Sequence, residues 1–242
     1  QVESWGYRRK ARLGVRYVVK KEKVLVGFRE RKSSFITVMS RCEVLHPSLG
    51  DNLEIIADCI GKLSIREHIP QIEAAISESH TILILRHLQP LTEADEAILK
   101  KCGERVSITW YTQSGGLDTI KPLIGAVTLT YSIPDHKIEM EFLPNDFTQV
   151  NFALNQKMIN LAIELLELND QDSVLDLFCG LGNFTLPISK YVEKIVGIEG
   201  DKGLVERAKA NADANGITNA SFYKADLSED VSGSEWFRGQ KY

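Results

Sequence analysis

Ala11, Leu13, Val15 and Tyr17 alternate with Arg12, Gly14 and Arg16, the period of two that predicts a half-buried strand. A second run, Val24 to Phe28, follows the polar turn Lys20-Lys21-Glu22-Lys23, and a third, Phe35 to Met39, follows Ser33-Ser34. Together they predict a short antiparallel meander. Apolar residues at Leu49, Leu53, Ile56, Ala57, Ile60 and Leu63 then recur at three- and four-residue spacing, which predicts an amphipathic helix over residues 48–63. Strands are expected at 71–77 and 81–86, and a helix over 93–101, with Thr92 as N-cap and Gly103 as its left-handed terminator. Further strands are expected at 106–111, 126–132 and 138–142. From about Asn155 the pattern changes to a helix, 156–167, followed by strand, loop, helix, strand, helix and strand, the order of a parallel sheet. The reading is α/β overall: a central α+β domain over 1–150, then over 151–242 the first part of a doubly wound, Rossmann-like domain.

Composition adds limits to this picture. Of 242 residues, 43% are hydrophobic and 26% charged, enough to bury one or two ordinary cores. Apolar stretches such as Ala126 to Tyr131 fall far short of the roughly 20 residues that cross a bilayer, so no membrane partner is expected. Gln1-Val2-Glu3-Ser4-Trp5 resembles neither a signal nor a transit peptide, and a cytoplasmic protein is the expectation. Cys42, Cys59, Cys102 and Cys179 are widely spaced and form no CxxC pair, which argues against a disulfide framework or a self-contained zinc site. Charge is uneven. Residues 1–41 hold 12 Lys and Arg against 3 acids, +9, and the other 201 residues sum to −13. A polyanion-facing surface fits this segment, with Arg8, Arg9, Lys10 and Arg12 as candidate contacts and Trp5, Tyr7, Tyr17 and Phe28 interleaved as candidate stacking platforms. Solvated cations on a strand pair, with aromatics packing in the core, is the competing reading.

The densest chemistry lies at Ser173 to Phe178, an apolar strand running directly into Cys179-Gly180-Leu181-Gly182-Asn183 and a helix expected from about Phe184. Gly180 and Gly182 carry no Cβ, so a ligand can approach the backbone, and the following helix start offers N–H groups to a carboxylate. A dinucleotide fingerprint would place a third glycine at 185, where Thr185 stands. Asp176, before the glycines, suits a ligand ammonium better than a pyrophosphate. Two further strands end in Glu199, placed for ribose hydroxyls, and Asp226, placed for an adenine amino group. An ammonium, a carboxylate, a ribose and an adenine together describe S-adenosyl-L-methionine, so these residues predict a class I methyltransferase.

Asp176-Leu177-Phe178-Cys179-Gly180-Leu181-Gly182-Asn183-Phe184-Thr185-Leu186-Pro187 resembles the cofactor loop of the RNA (uracil-5-)methyltransferases. Phe147-Thr148-Gln149-Val150-Asn151 resembles their second motif, and Trp5 to Arg12 is most similar to the branch acting on 23S ribosomal RNA. The resemblance implies methyl transfer to C5 of a uridine in ribosomal RNA, with Gln149, Phe178, Asn183, Glu199 and Asp226 at cofactor positions and no obligate protein partner. It also implies that Cys42 is the last of four [4Fe–4S] ligands, the other three preceding Gln1, so no cluster is expected in this chain. Uracil C5 is a weak nucleophile, so a thiolate must add to C6 and a base must later remove the C5 proton. By resemblance both groups lie beyond Tyr242; the chain is expected to be a piece of a longer enzyme, truncated at both ends, with no catalytic residue of its own. Cys179 suits packing within the loop. Three rival readings remain: a tRNA uracil-C5 methyltransferase, a methyltransferase acting on a small molecule or protein, and a non-catalytic RNA-binding protein with a methyltransferase-like fold.

Overall fold

A computed structural model describes residues 4–33 and 35–242. Gln1 to Glu3, part of the leader reading, and Ser34, half of the expected Ser33-Ser34 turn, lie outside the described residues. The chain divides into two compact units, Gln1–Leu129 with Thr148–Phe152, and Thr130–Phe147 with Ala153–Tyr242. No helix among the described residues is long and apolar enough to cross a membrane.

The first unit contains β1 (Lys10–Val18), β2 (Lys23–Gly27), α1 (Pro47–Gly50), α2 (Leu53–Gly61), β3 (Gln71–Ile76), β4 (Thr81–Arg86), α3 (Glu93–Val106), β5 (Thr109–Gln113) and the two-residue β6 (Lys121–Pro122). They form one six-stranded sheet, ordered β2-β1-β3-β4-β5-β6, with only β4 and β5 parallel, because the α3 crossover joins them. The alternation in β1 is realised. Ala11, Leu13 and Val15 are buried while Arg12 and Arg16 face solvent. The inward residues meet Leu49, Leu53, Ile56, Ile60 and Leu83 in one apolar core.

Three local expectations are corrected. The run from Phe35 to Met39 forms no strand: only Ile36 pairs, through an isolated bridge to Arg29, and only Ile36 is buried, against Gly14, while Phe35 and Val38 stay exposed. The helix over 48–63 is two helices. Apolar spacing continues through the break, but the chain turns at Asp51 and Asn52. Gly103 does not end α3; the helix runs to Val106 and Ser107 takes the left-handed position, φ 55°. Gly103 is needed inside the helix because a Cβ there would collide with the Ile108 carbonyl oxygen and press on Trp110.

The second unit contains β7 (Leu129–Ile133) and α4 (Phe152–Leu166), each apart from its first residue, with β8 (Ile138–Phe142), β9 (Ser173–Leu177), α5 (Thr185–Ile188), β10 (Lys194–Glu199), α6 (Lys202–Ala214) and β11 (Ala220–Lys224). Its parallel sheet has the order β11-β10-β9, with α6 crossing from β10 to β11. The β7–β8 hairpin belongs with this unit rather than with the residues before it. Its free edge is satisfied by side chains: Asn211 in the last turn of α6 and Asn215, the residue that caps it, each accept a bond from and donate a bond to the backbone of Glu141 and Glu139 respectively, at 2.7–3.0 Å. The salt bridge from Arg207 to buried Asp146, 2.6 Å, adds to this attachment.

The expected cap at Thr92 is present as a capping box with Asp95, and Asp95 does more than the motif requires. Its buried carboxylate accepts from the Thr92 N–H and hydroxyl and from the Ser64 N–H and hydroxyl, at 2.7–3.0 Å. Burial alone would raise the carboxyl pKa, but the four donors outweigh it and bring it down to about 2. Asp95→Asn is expected to cost about 2 kcal/mol of unfolding free energy at neutral pH. A depressed pKa contributes stability above the unfolded value, so the difference between the two proteins should shrink as pH falls from about 4 towards about 2. Denaturant unfolding across that window checks both the size and the sign.

Candidate functional site

β9, β10 and β11 run parallel in register, Gly197 beside Asp176 and Glu199 beside Lys224, so their carboxyl ends open on one edge of the sheet. That edge is where open α/β sheets bind ligands. β9 leaves the sheet through Phe178, which adopts the left-handed region at φ 62° and is 74% exposed. A non-glycine residue held there costs of order 1–3 kcal/mol, a strain that clusters at ligand sites. Gly180, φ 56°, follows, and no heavy atom lies within 4 Å of where its Cβ would be. The space above the loop is open to a ligand. Gly182, φ 89°, is required for a different reason, since a Cβ would collide with Leu186.

Glu199 closes the loop from the neighbouring strand. One carboxylate oxygen accepts from Gly180 N–H at 3.0 Å, and the other accepts from Gly200 N–H at 2.7 Å and Asp201 N–H at 3.1 Å. A carboxylate has about four acceptor positions, so capacity remains for a ribose hydroxyl. Asp226, at the end of β11, is exposed and accepts from the Ser228 N–H and hydroxyl, which hold its carboxyl below the usual range. Gln149 belongs to the segment 148–152 of the first unit.

Two motif residues turn inward. Asp176 accepts from the Thr185 hydroxyl at 2.6 Å; burial pushes its carboxyl pKa up, and bonds from the Thr185 hydroxyl and N–H only partly offset this. The helix that follows is a single turn, and its leading donor serves Asp176 rather than open space. Asn183 is held by reciprocal amide bonds to Asn155 of α4, 2.8 and 2.9 Å, and its carbonyl also accepts from the Tyr131 hydroxyl at 2.9 Å. Three of its four hydrogen-bonding positions are thus taken by protein. Asn155 and Tyr131, both buried, went unnoticed in the sequence, where nothing in their local pattern distinguishes them. Gly197 was missed too: a Cβ there would lie 2.8 Å from Phe222 and 2.9 Å from the Cys179 sulfur.

Cys179 is a packing residue, as its loop position suggested. It is buried, and burial, followed by the charges of Asp176 and Glu199, pushes its thiol pKa up to about 12, so almost no thiolate exists at neutral pH. Cys42 is half-buried, and among the described residues no group of three or more His, Cys, Asp or Glu could hold a metal. The cysteines here do not fit a four-thiolate cluster.

The basic segment divides into inward and outward cations. Arg9 donates to the Ser77 carbonyl at 2.7 Å and lies over the Phe152 ring, 4.9 Å from its centroid; burial lowers its pKa. Arg8 donates weakly to the Lys10 carbonyl at 3.4 Å, and Arg12 pairs with Glu73 at 2.9 Å while staying 70% exposed. Arg16, Lys20, Lys21, Arg29, Arg31 and Lys32 are exposed and form no ion pair among the described residues. Of the aromatics, Trp5 is exposed, Tyr17 is covered by the Arg66 guanidinium at 4.8 Å, and Phe28 packs on the core.

Residues 120–236 match the model of the tRNA (Uracil-5-)-methyltransferase family. The chain is 64% identical over 242 residues, all of its length and 55% of the relative's, to the 23S rRNA (uracil(1939)-C(5))-methyltransferase RlmD of Vesicomyosocius okutanii. It is 48% identical over 242 residues to the protein of the same name from Francisella tularensis subsp. novicida, covering 98% of this chain and 54% of that one. The chain therefore spans about half the length of the curated relatives it matches. The crystal structure of the Pyrococcus abyssi tRNA (uracil-54, C5)-methyltransferase in complex with S-adenosyl-L-homocysteine shares the fold, with TM-score 0.70 at 17% identity over 94% of this chain and 57% of that one. On the loop, the strand-end acids and these matches, the chain is similar to the RNA (uracil-5-)methyltransferases, and their family model matches its second half.

Proposed function

We propose that this chain is the S-adenosyl-L-methionine-binding portion of a cytoplasmic enzyme that methylates C5 of a uridine in 23S ribosomal RNA. The observation that carries the reading is the 64% identity, over the whole chain, to a protein named for that reaction. The cofactor supplies a methyl group on a sulfonium. Open space over Gly180, the exposed Phe178 ring and the strand-end carboxylates supply a fitting cradle. In this reading Glu199 accepts from the ribose while holding the loop, and Phe178 covers an apolar face. Asp226 takes the adenine amino group, and Asp176, given one oxygen to Thr185, offers the other to the ammonium. Gln149 contributes as the family resemblance implies, and Asn183 acts by fixing the loop. Neither nucleophile nor base is assigned to a residue of this chain, since Cys179 is held protonated.

Two measurements test the site. Titration calorimetry with S-adenosyl-L-homocysteine should show Glu199→Gln weakening binding by about 1–3 kcal/mol, the scale of hydrogen bonds to a charged group. Unchanged affinity removes Glu199 from the site. Labelled methyl incorporation into unmodified 23S ribosomal RNA, measured beside tRNA with this chain and with its full reading frame, identifies the substrate; transfer by the longer protein into ribosomal RNA is expected, and into tRNA alone overturns the assignment.

The outward cations are proposed to contact phosphate. Charge reversal at Arg16, Lys20 and Lys21 should reduce the log–log salt slope of rRNA-fragment binding by about 0.7 to 0.9 for each phosphate no longer neutralised. Arg9→Gln, by contrast, should lower stability. An unchanged slope in the triple variant would show the charge to be a solvated face.

A further inference from the structure

α2 and α3 pack together in the first unit, and each places one cysteine in the seam. Cys59 and Cys102 are both free, both 6% exposed, and both line the same cavity of about 310 Å³ at the molecular surface. The Cys59 sulfur lies 3.7 Å from the carbonyl oxygen of Ile98, the residue one turn before Cys102 on α3. Its S–H donates to that carbonyl. Around the cavity stand Lys62, Lys101 and Arg105, with Asp58 the one acid. Nothing in the methyl-transfer reading uses these thiols.

We propose that Cys59 and Cys102 form a redox site in which Cys102 is the nucleophilic thiol, Cys59 the resolving thiol, and a hydroperoxide reaching the cation-rimmed cavity the oxidant. The order of the two follows from their surroundings. The neighbouring Cys59 thiol favours the Cys102 thiolate; burial opposes ionisation, and Arg105 and Lys62 favour it again, so that the Cys102 pKa falls below the ordinary thiol value. Cys59, beside Cys102, buried and donating to the Ile98 carbonyl, is held protonated. In the first step the Cys102 thiolate attacks one peroxide oxygen. The O–O bond breaks, hydroxide leaves and takes up a proton as water, and Cys102 is oxidised to a sulfenic acid. Next the Cys59 sulfur attacks the Cys102 sulfur, the S–S bond forms, the S–O bond breaks, and the hydroxyl leaves with the Cys59 proton as a second water. Two thiols and one hydrogen peroxide give one disulfide and two waters. The cross-link would clamp α2 to α3.

The test exposes the purified chain to stoichiometric hydrogen peroxide and maps it by mass spectrometry without reduction. A Cys59–Cys102 linked peptide, lighter by two hydrogens and restored by dithiothreitol, is expected. Cys59→Ser should arrest oxidation at a Cys102 sulfenic acid that dimedone traps, and Cys102→Ser should slow oxidation of Cys59 about tenfold or more, since the thiolate is the reacting form. Lys62→Gln with Arg105→Gln should slow disulfide formation in otherwise unaltered thiols. Should a cysteine variant fail to fold, dimedone competition on the unaltered chain still decides, because Cys102 must be tagged before Cys42, Cys59 or Cys179. First tagging at any other cysteine, or peroxide consumption with no Cys59–Cys102 linkage, overturns the proposal.

Discussion

The second unit depends on the Glu199 carboxylate more than on any other single group. Parallel strands lie about 4.8 Å apart, so the turn leaving β9 and the end of β10 are neighbours whatever their side chains. That proximity leaves the Gly180, Gly200 and Asp201 N–H groups converging without strand partners, and an unpaired backbone donor is costly. Glu199 accepts from all three. One anion thereby fixes the backbone on both sides of the crevice, which keeps Gly180 at φ 56° with open space above it. The strain at Phe178 is sustained by the same frame, because a free loop would relax it.

Glu199 is one case of a wider division between residues that hold a surface and residues that present it. Asn183 and Asp176 carry the motif's identity in the sequence, yet their polar atoms go chiefly to Asn155, Tyr131 and Thr185. Arg9 belongs to a basic run, yet its guanidinium is committed to the Ser77 carbonyl and the Phe152 ring. In each case a partly buried polar group must first satisfy its own hydrogen bonds. What faces outward is left to groups the fold does not consume: the Phe178 ring, the remaining acceptor position of Glu199, and the cations Arg16, Lys20, Lys21, Arg29, Arg31 and Lys32.

Legibility followed the range of the forces involved. β8 was readable to the residue because Ile138, Met140 and Phe142 alternate with Glu139 and Glu141, and the Thr92 cap because its partner Asp95 is three residues away. The break between α1 and α2 was not, since Leu49 and Leu53 keep helical spacing across a turn that only backbone hydrogen bonding reveals. Gly103 misled for the opposite reason. A local rule reads glycine as a terminator, whereas this one admits the Ile108 carbonyl from beyond the helix end. The site shows the same split: the glycines and strand-end acids lie within one contiguous stretch, while Asn155 and Tyr131 join Asn183 from 28 and 52 residues away.

The cysteines show why residue type alone could not settle their chemistry. Cys179 and Cys102 are both buried, and desolvation disfavours the thiolate of each. Their neighbours then act with opposite sign. Asp176 and Glu199, the acids that shape the loop, add repulsion to any negative charge on Cys179 and leave it inert. At Cys102 a neighbouring thiol and two cations more than offset the same burial. A loop flanked by acids therefore keeps its own cysteine from ionising, whereas a cation-rimmed seam between two helices does the reverse. Reactivity is thus expected of the thiols without a motif, not of the one inside it.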